Sequence, residues 1–160
     1  MGVVDFTHAA SELEIEDIRR LFSEYGRSLN FNLCFQSFEE ELRDLPGAYA
    51  APRGRLILAL VDGSAAGCVA LKPLDGHVCE MKRLYVRPEA RGSGLGRLLV
   101  AALLREARSR GYRAMRLDTV PGMDAAIALY RACGFEEIAP YRPNPIVGAL
   151  YLEKDLEREP

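Results

Sequence analysis

The sequence predicts one α/β (α+β) domain over residues 1–160, a mixed and mostly antiparallel sheet of about seven strands flanked by about four helices. Three observations carry this prediction. Apolar patterning gives the order β-α-α-β-β-β-α-β-α-β-β. Two Asp-Gly turns, Asp62-Gly63 and Asp75-Gly76, join the middle strands as hairpins. A Gly-rich loop then leads from a strand into a helix and a further strand, which is a crossover.

Taken in order, Val3–Thr7 is short, apolar and partly β-branched, and reads as the first strand. Ser11 and Glu14 have capping-box spacing and start a helix that runs to about Ser28. Its apolar stripe is Leu13, Ile15, Ile18, Leu21, Phe22 and Tyr25. Phe38–Leu45 is a shorter helix, ended by Pro46-Gly47. Arg55–Val61 and Ala65–Lys72 are strands around the first Asp-Gly turn, and the second turn opens a long strand from His77 to about Arg87. Pro88 stops that strand. Leu95, Leu98, Leu99, Ala102 and Leu103 mark the face of a helix to about Arg110, terminated by Gly111. Arg113–Thr119 alternates as a strand, Met123–Ala132 is a helix closed by Gly134, and Phe135–Ala139 and Val147–Lys154 are the last strands. Between these two lies a Pro-rich bend, Pro140–Pro145.

Composition narrows the function. With 49% apolar and 28% charged residues, the chain is globular and able to bury a core. The net charge of −2 gives no reason to expect nucleic acid or an anionic membrane as partner. That total is unevenly distributed. Residues 82–116 hold 10 Lys/Arg against Glu89 and Glu106, whereas residues 1–44 hold 4 Arg against 10 acids. The basic block lacks the interleaved aromatics of a nucleic-acid reader. The longest apolar run, Leu98–Leu104, is far too short for a membrane span, and no basic-then-apolar leader is visible. Cys34, Cys68, Cys79 and Cys133 form no C-x-x-C pair and no zinc-ligand spacing, so free thiols, a cytoplasmic location and no metal are expected.

The informative stretch is Arg91-Gly92-Ser93-Gly94-Leu95-Gly96, between a strand and a helix. A Gly-rich turn feeding a helix N-terminus presents unpaired backbone N–H groups to an anion, and the helix dipole adds a favourable field. Two familiar phosphate loops are excluded. No Gly-Lys pair exists for a P-loop, and Arg97 occupies the third glycine position of the dinucleotide fingerprint.

These residues resemble the GCN5-related N-acetyltransferases, whose pattern R/Q-x-x-G-x-G/A they match. The resemblance extends upstream through Glu80–Pro88 and downstream through Ala128-Leu129-Tyr130 and Gly134-Phe135, and covers roughly residues 55–155. It implies an acyl-CoA N-acyltransferase fold with splayed fourth and fifth strands and acetyl-CoA bound in the opening. It implies that Leu84, Tyr85 and Val86 offer backbone groups to the pantetheine arm, that the amides of Gly92, Ser93, Gly94, Leu95 and Gly96 hold the pyrophosphate, and that Arg91 and Arg97 add positive charge. Thr119 and Ala126 would flank the cofactor. Glu80 stands where some members carry a general base, acting directly or through water, with a surface pairing to Lys82 or Arg116 as the alternative. Tyr130 matches the family's acid for the departing thiolate, the alternative being an aromatic packed on the sheet. The expected reaction is direct acetyl transfer to a primary amine of a small molecule or peptide, and the non-catalytic alternative is an acyl-CoA-sensing domain. The resemblance also admits a homodimer.

The resemblance further implies an acceptor side built from Leu29–Phe35, Pro140–Val147 and Tyr49, with Tyr141, Arg142 and Asn144 as candidate substrate-binding residues, the alternative being a rigid turn with solvent-facing polar groups; an Arg142 facing the pocket would suit a carboxylate-bearing substrate. The cluster Glu39-Glu40-Glu41 reads as a solvated helix face, and His8 and His77 are isolated.

Overall fold

The computed structural model describes residues 2–29, 33 and 37–158. Its elements are β1 (Val4–His8), α1 (Glu12–Ser28), α2 (Phe38–Asp44), β2 (Arg55–Val61), β3 (Ser64–Asp75), β4 (Val78–Val86), α3 (Leu95–Ser109), β5 (Ala114–Thr119), α4 (Asp124–Ala132), β6 (Glu136–Ile138) and β7 (Leu150–Asp155). The seven strands form one sheet in the order β1-β2-β3-β4-β5-β7-β6. Every neighbouring pair is antiparallel except β4 with β5.

Local chemistry explains most boundaries. The Ser11 hydroxyl accepts from Glu14 N–H at 3.2 Å, and Glu14 Oε1 accepts from Ser11 N–H at 3.1 Å, completing the capping box of α1. α1 buries Ile15, Ile18, Leu21 and Phe22. Leu13 departs from the expected stripe and is 82% exposed, because nine residues at about 100° each place it opposite Phe22. Asp62 and Gly63 both have positive φ, 50° and 83°, which is the tight hairpin turn their sequence requires. β3 runs three residues beyond Lys72, since Pro73 falls at an irregularity in the ladder where its missing N–H is tolerated. β7 begins only at Leu150, which leaves Val147 exposed.

Two cores lie on opposite faces of the sheet. α3 and α4 cover one face, where Leu99, Leu103, Met81, Met115, Leu117 and Leu152 pack together. α1 covers the other, with Ile18, Leu21, Phe22, Leu56, Leu58 and Tyr85. Tyr49, an expected acceptor-side residue, belongs to this second core, edge-on to Phe22 at 6.1 Å.

β4 departs most from regular geometry. Cys68 pairs with Tyr85 and Ala70 with Lys82, so Arg83 and Leu84 together face Val69 alone. This is a β-bulge, and Arg83 adopts the left-handed conformation at φ 61°. A non-glycine residue there costs on the order of 1–3 kcal/mol unless its surroundings hold it. They do: Arg83 Nε and Nη2 donate to the two Glu41 carboxylate oxygens at 2.9 Å each, and its guanidinium lies 5.1 Å over the Phe38 ring. Glu41 therefore has a structural partner, which corrects the solvated-face reading for this residue, while Glu39 and Glu40 are exposed.

Two stability predictions follow from these contacts. Ser11→Ala should cost about 1 kcal/mol in urea denaturation at pH 7. Backbone N–H groups of Ser11 and Ala10, with the Thr7 hydroxyl, hold Glu14 down to about 2 from its usual 4.5, so this contribution is present above pH 4.5 and is lost as pH falls through about 2. Glu14→Gln should accordingly be less stable than the wild type at pH 7, with the deficit shrinking toward pH 2. Glu41→Ala removes the bidentate carboxylate from the buried Arg83 cation, and a loss of about 3–5 kcal/mol is expected in the same measurement.

Candidate functional site

β4 and β5 pair over only three residues, Val78 with Ala114, Cys79 with Met115 and Glu80 with Arg116. Beyond Glu80 the strands part. Residues Met81–Val86 keep β3 on one edge, and the other edge borders a cavity of about 650 Å³. Leu84, Tyr85 and Val86 line it from β4, and Arg91, Gly92, Gly94, Leu95, Gly96 and Arg97 line it from the loop and the start of α3. Ala126 closes the far side. Ser93 is not in the lining; its hydroxyl donates to the Ala90 carbonyl at 2.5 Å and ties the loop to the turn before it.

The chemistry of this lining follows from α3. Gly94 caps the helix at φ 85° and no side chain caps it, so helix geometry leaves the amides of Leu95, Gly96 and Arg97 without intrahelical partners. The first turn holds no acid, leaving the dipole's positive end unopposed. A Cβ on Gly96 would lie 3.3 Å from the Leu129 side chain, so glycine lets α3 and α4 approach. Arg91 donates from Nε to the Val86 carbonyl at 2.9 Å, and its guanidinium stacks 5.7 Å over Tyr85. The Tyr85 hydroxyl and Arg87 both meet Glu24 of α1, at 3.4 Å and 2.7 Å. These groups fit a pyrophosphate: a preorganised row of amides, two arginines and no carboxylate from the loop itself.

A smaller recess continues from this cavity into the split between β4 and β5. Tyr25, Leu84, Val120 and Met123 line both. The recess adds Lys82 from β4, Asp118 and Thr119 from β5, Tyr130 from α4, and Asn144. Thr119 and Tyr130 thus sit at the split rather than in the larger cavity. Burial pushes the Tyr130 hydroxyl well above its usual range. Burial, with Arg83 beside it, pulls Lys82 down to about 8. The turn at residues 120–123 and the first residues of α4, Asp124 and Ala125, supply much of the far wall; the sequence marks them only by their place between Thr119 and Ala126.

Glu80 is the last paired residue of β4, and its side chain is completely buried. Oε2 accepts from the Tyr141 hydroxyl at 2.6 Å and from Arg142 Nη2. Oε1 has no hydrogen-bond partner among the described residues, the nearest cation being Lys72 at 3.7 Å. Burial pushes the carboxyl up, but Lys82, the Tyr141 hydroxyl and Arg142 outweigh it and hold Glu80 below its ordinary value. Of the two alternative partners, Arg116 pairs instead with Glu153 at 2.7 Å, whereas Lys82 does act on Glu80, which is buried rather than at the surface and is also held from the β6–β7 loop. Of the three candidate substrate-binding residues, Tyr141 and Arg142 line neither cavity and meet Glu80 instead, whereas Asn144 lines the recess. Of the acceptor segment Leu29–Phe35, residues 30–32 and 34–35 lie outside the described residues, as does Cys34; Leu33 lines the recess. His8 meets Glu106 at 2.9 Å, and His77 borders a separate hollow with Arg53 and Arg110.

Comparison with known proteins agrees with this geometry. The family model of the acetyltransferase (GNAT) family matches residues 15–135. An uncharacterised N-acetyltransferase of Schizosaccharomyces pombe is 38% identical over 147 residues, covering 91% of this chain and 90% of that protein. An IAA acetyltransferase of Azospirillum brasilense is 38% identical over 111 residues, covering 67% of this chain and 71% of its own. Among solved structures, a GNAT-family acetyltransferase of Staphylococcus aureus superposes with TM-score 0.80 at 17% identity, covering 97% and 100% of the two chains. An acetyltransferase of Salmonella typhimurium, solved with its cofactor acetyl-CoA, superposes at 0.67 with 19% identity over 98% and 95%. Both structures show the same fold. With the family model spanning most of the chain and a relative matching it nearly end to end, this protein belongs to the GNAT family of acetyl-CoA-dependent N-acetyltransferases.

Proposed function

We propose that the protein passes acetyl directly from acetyl-CoA to a primary amine within one ternary complex. The observation that carries this reading is the continuity of two cavities, one with an anion-binding helix terminus and one lined by Tyr130, Lys82 and Asp118. The cofactor supplies an activated acetyl thioester when bound. The amides of Gly92, Ser93, Gly94, Leu95 and Gly96, with Arg91 and Arg97, hold its pyrophosphate. The free edge of Leu84–Val86 takes the pantetheine arm as an added strand, and Thr119 and Ala126 flank it.

A backbone N–H near Leu84 or Tyr85 polarises the thioester oxygen. Tyr130 donates a hydrogen bond to the sulfur. Its raised pKa makes the phenol a weaker acid than a thiol, so it stabilises the thiolate as a donor and gives up a proton only late. Glu80 serves as the base through an ordered water. Its buried Oε1 needs a donor, and a water there would carry the ammonium proton to a carboxylate that stays ionised at neutral pH. Cytoplasmic placement is part of the proposal and is supported by Cys68 and Cys79, which are buried free thiols; no helix among the described residues is long and apolar enough to cross a membrane.

The test is thiol release from acetyl-CoA against an amine panel, beside calorimetry of coenzyme A binding. Tyr130→Phe should lower kcat about ten- to a hundredfold with binding unchanged. Binding without any turnover by the wild type would favour the sensing domain instead. Arg142→Ala removes a cation that holds Glu80 low, so the acid limb of the kcat/KM profile should move to higher pH. An unmoved limb would separate Glu80 from proton removal.

A further inference from the structure

The sheet face that carries the recess bears a row of charges across four strands. Lys72 stands opposite Glu80, Glu80 opposite Arg116, and Arg116 opposite Glu153. Each acid in this row has a cation. Glu80 has Arg142 with Lys72 behind it, and Glu153 has Arg116 at 2.7 Å. One step along, where β4 and β5 have parted, the next residues on this face are Lys82 and Asp118, and both line the recess.

Asp118 differs from the other two acids. No Lys, Arg or His of the described residues lies within 4.0 Å of its carboxylate. Its hydrogen-bond partner is Asn144, whose Nδ2 donates to Oδ2 at 3.2 Å. Asn144 is itself oriented, because its amide oxygen accepts from Ile146 N–H at 2.9 Å. A half-buried carboxylate is thus aimed and held at the split with no direct ion pair among the described residues, Lys82 attracting it from within the same recess, opposite the strand edge assigned to the thioester. We infer that Asp118 seats the ammonium of the acceptor, with Asn144 as its positioning residue, and that the acceptor class is a small primary amine carrying a single positive charge.

The restriction to one charge comes from the surroundings. Lys82 lines the same recess, and Arg142 lies behind it on Glu80. A polyamine or a polycationic sugar would bring a second ammonium toward these cations, whereas an amine with a neutral or carboxylate neighbour would not. This inference rests on the acetyl-transfer reading, and the experiment separates the two.

Thiol release is measured for glycine amide, L-alanine and 2-phenylethylamine against putrescine and spermidine, with coenzyme A binding followed in parallel by calorimetry. Turnover of the singly charged amines is expected. Asp118→Asn should raise their KM roughly ten- to a hundredfold, the range for losing a charge-assisted hydrogen bond, while KM for acetyl-CoA changes less than about twofold. Asn144→Ala should move the acceptor KM in the same direction by less, which guards against a folding defect in the first variant. An unchanged acceptor KM in Asp118→Asn overturns the seat. Preference for spermidine, or turnover of none of these amines by a protein that binds coenzyme A, overturns the acceptor class. Failure to bind coenzyme A would count against the parent reading.

Discussion

Everything at this site depends on where β4 stops having two neighbours. For three residues it is a central strand, and after Glu80 it is an edge. A strand edge left open inside a protein is a liability, because its backbone groups need partners. Here the opening is flanked by the Gly-rich turn and by the β5–α4 turn, and the unpaired edge becomes a template for a ligand that can bond like a strand. The break in pairing, the bulge at Arg83 and the helix terminus at Gly94 lie within fifteen residues of one another. In the proposed reading, one short segment therefore sets the position of the thioester, the pyrophosphate and the candidate base.

The bulge has a distant support. Arg83 adopts a conformation that a non-glycine residue avoids, and it is held there by Glu41 and Phe38 of α2. α2 buries none of its own residues fully; it lays Phe38 and Leu42 against the second core and adds this clamp. Glu24 plays a related part on α1, gathering Arg87 and the Tyr85 hydroxyl at the end of β4. The two N-terminal helices thereby fix the geometry of a strand far from them in sequence.

This distance explains what could be read from the sequence. The capping box at Ser11 and Glu14, the Asp62-Gly63 turn and the glycine-rich start of α3 are short-range signals, and each is where its residues predict. The Arg83 bulge leaves no such mark, since an arginine in the left-handed region is legible only once Glu41, 42 residues away, is in place. The surroundings of Glu80 are hidden for the same reason: Tyr141 and Arg142 lie 61 and 62 residues along the chain. The motif identified Glu80 as a candidate, but not its burial, its orphaned oxygen or its ionic partners. Asp118 was passed over because alternation along β5 marks it only as an outward polar residue. Its lack of a direct ion pair among the described residues is a property of the assembled face.

The loop after β6 has a consequence for how such a scaffold can change its substrate. Segments of this kind are natural places for variation, since they wall the acceptor side while the cofactor cleft stays constant. In this protein the same segment supplies Tyr141 and Arg142 to the buried carboxylate and Asn144 to the recess. Under the proposed roles of Glu80 and Asn144, recognition and proton handling are therefore inherited together. Grafting a foreign loop here would strip a fully enclosed glutamate of its counterion, so divergence toward a new acceptor has to proceed by single replacements that keep those three side chains, or must rebuild the ionisation of Glu80 at the same time.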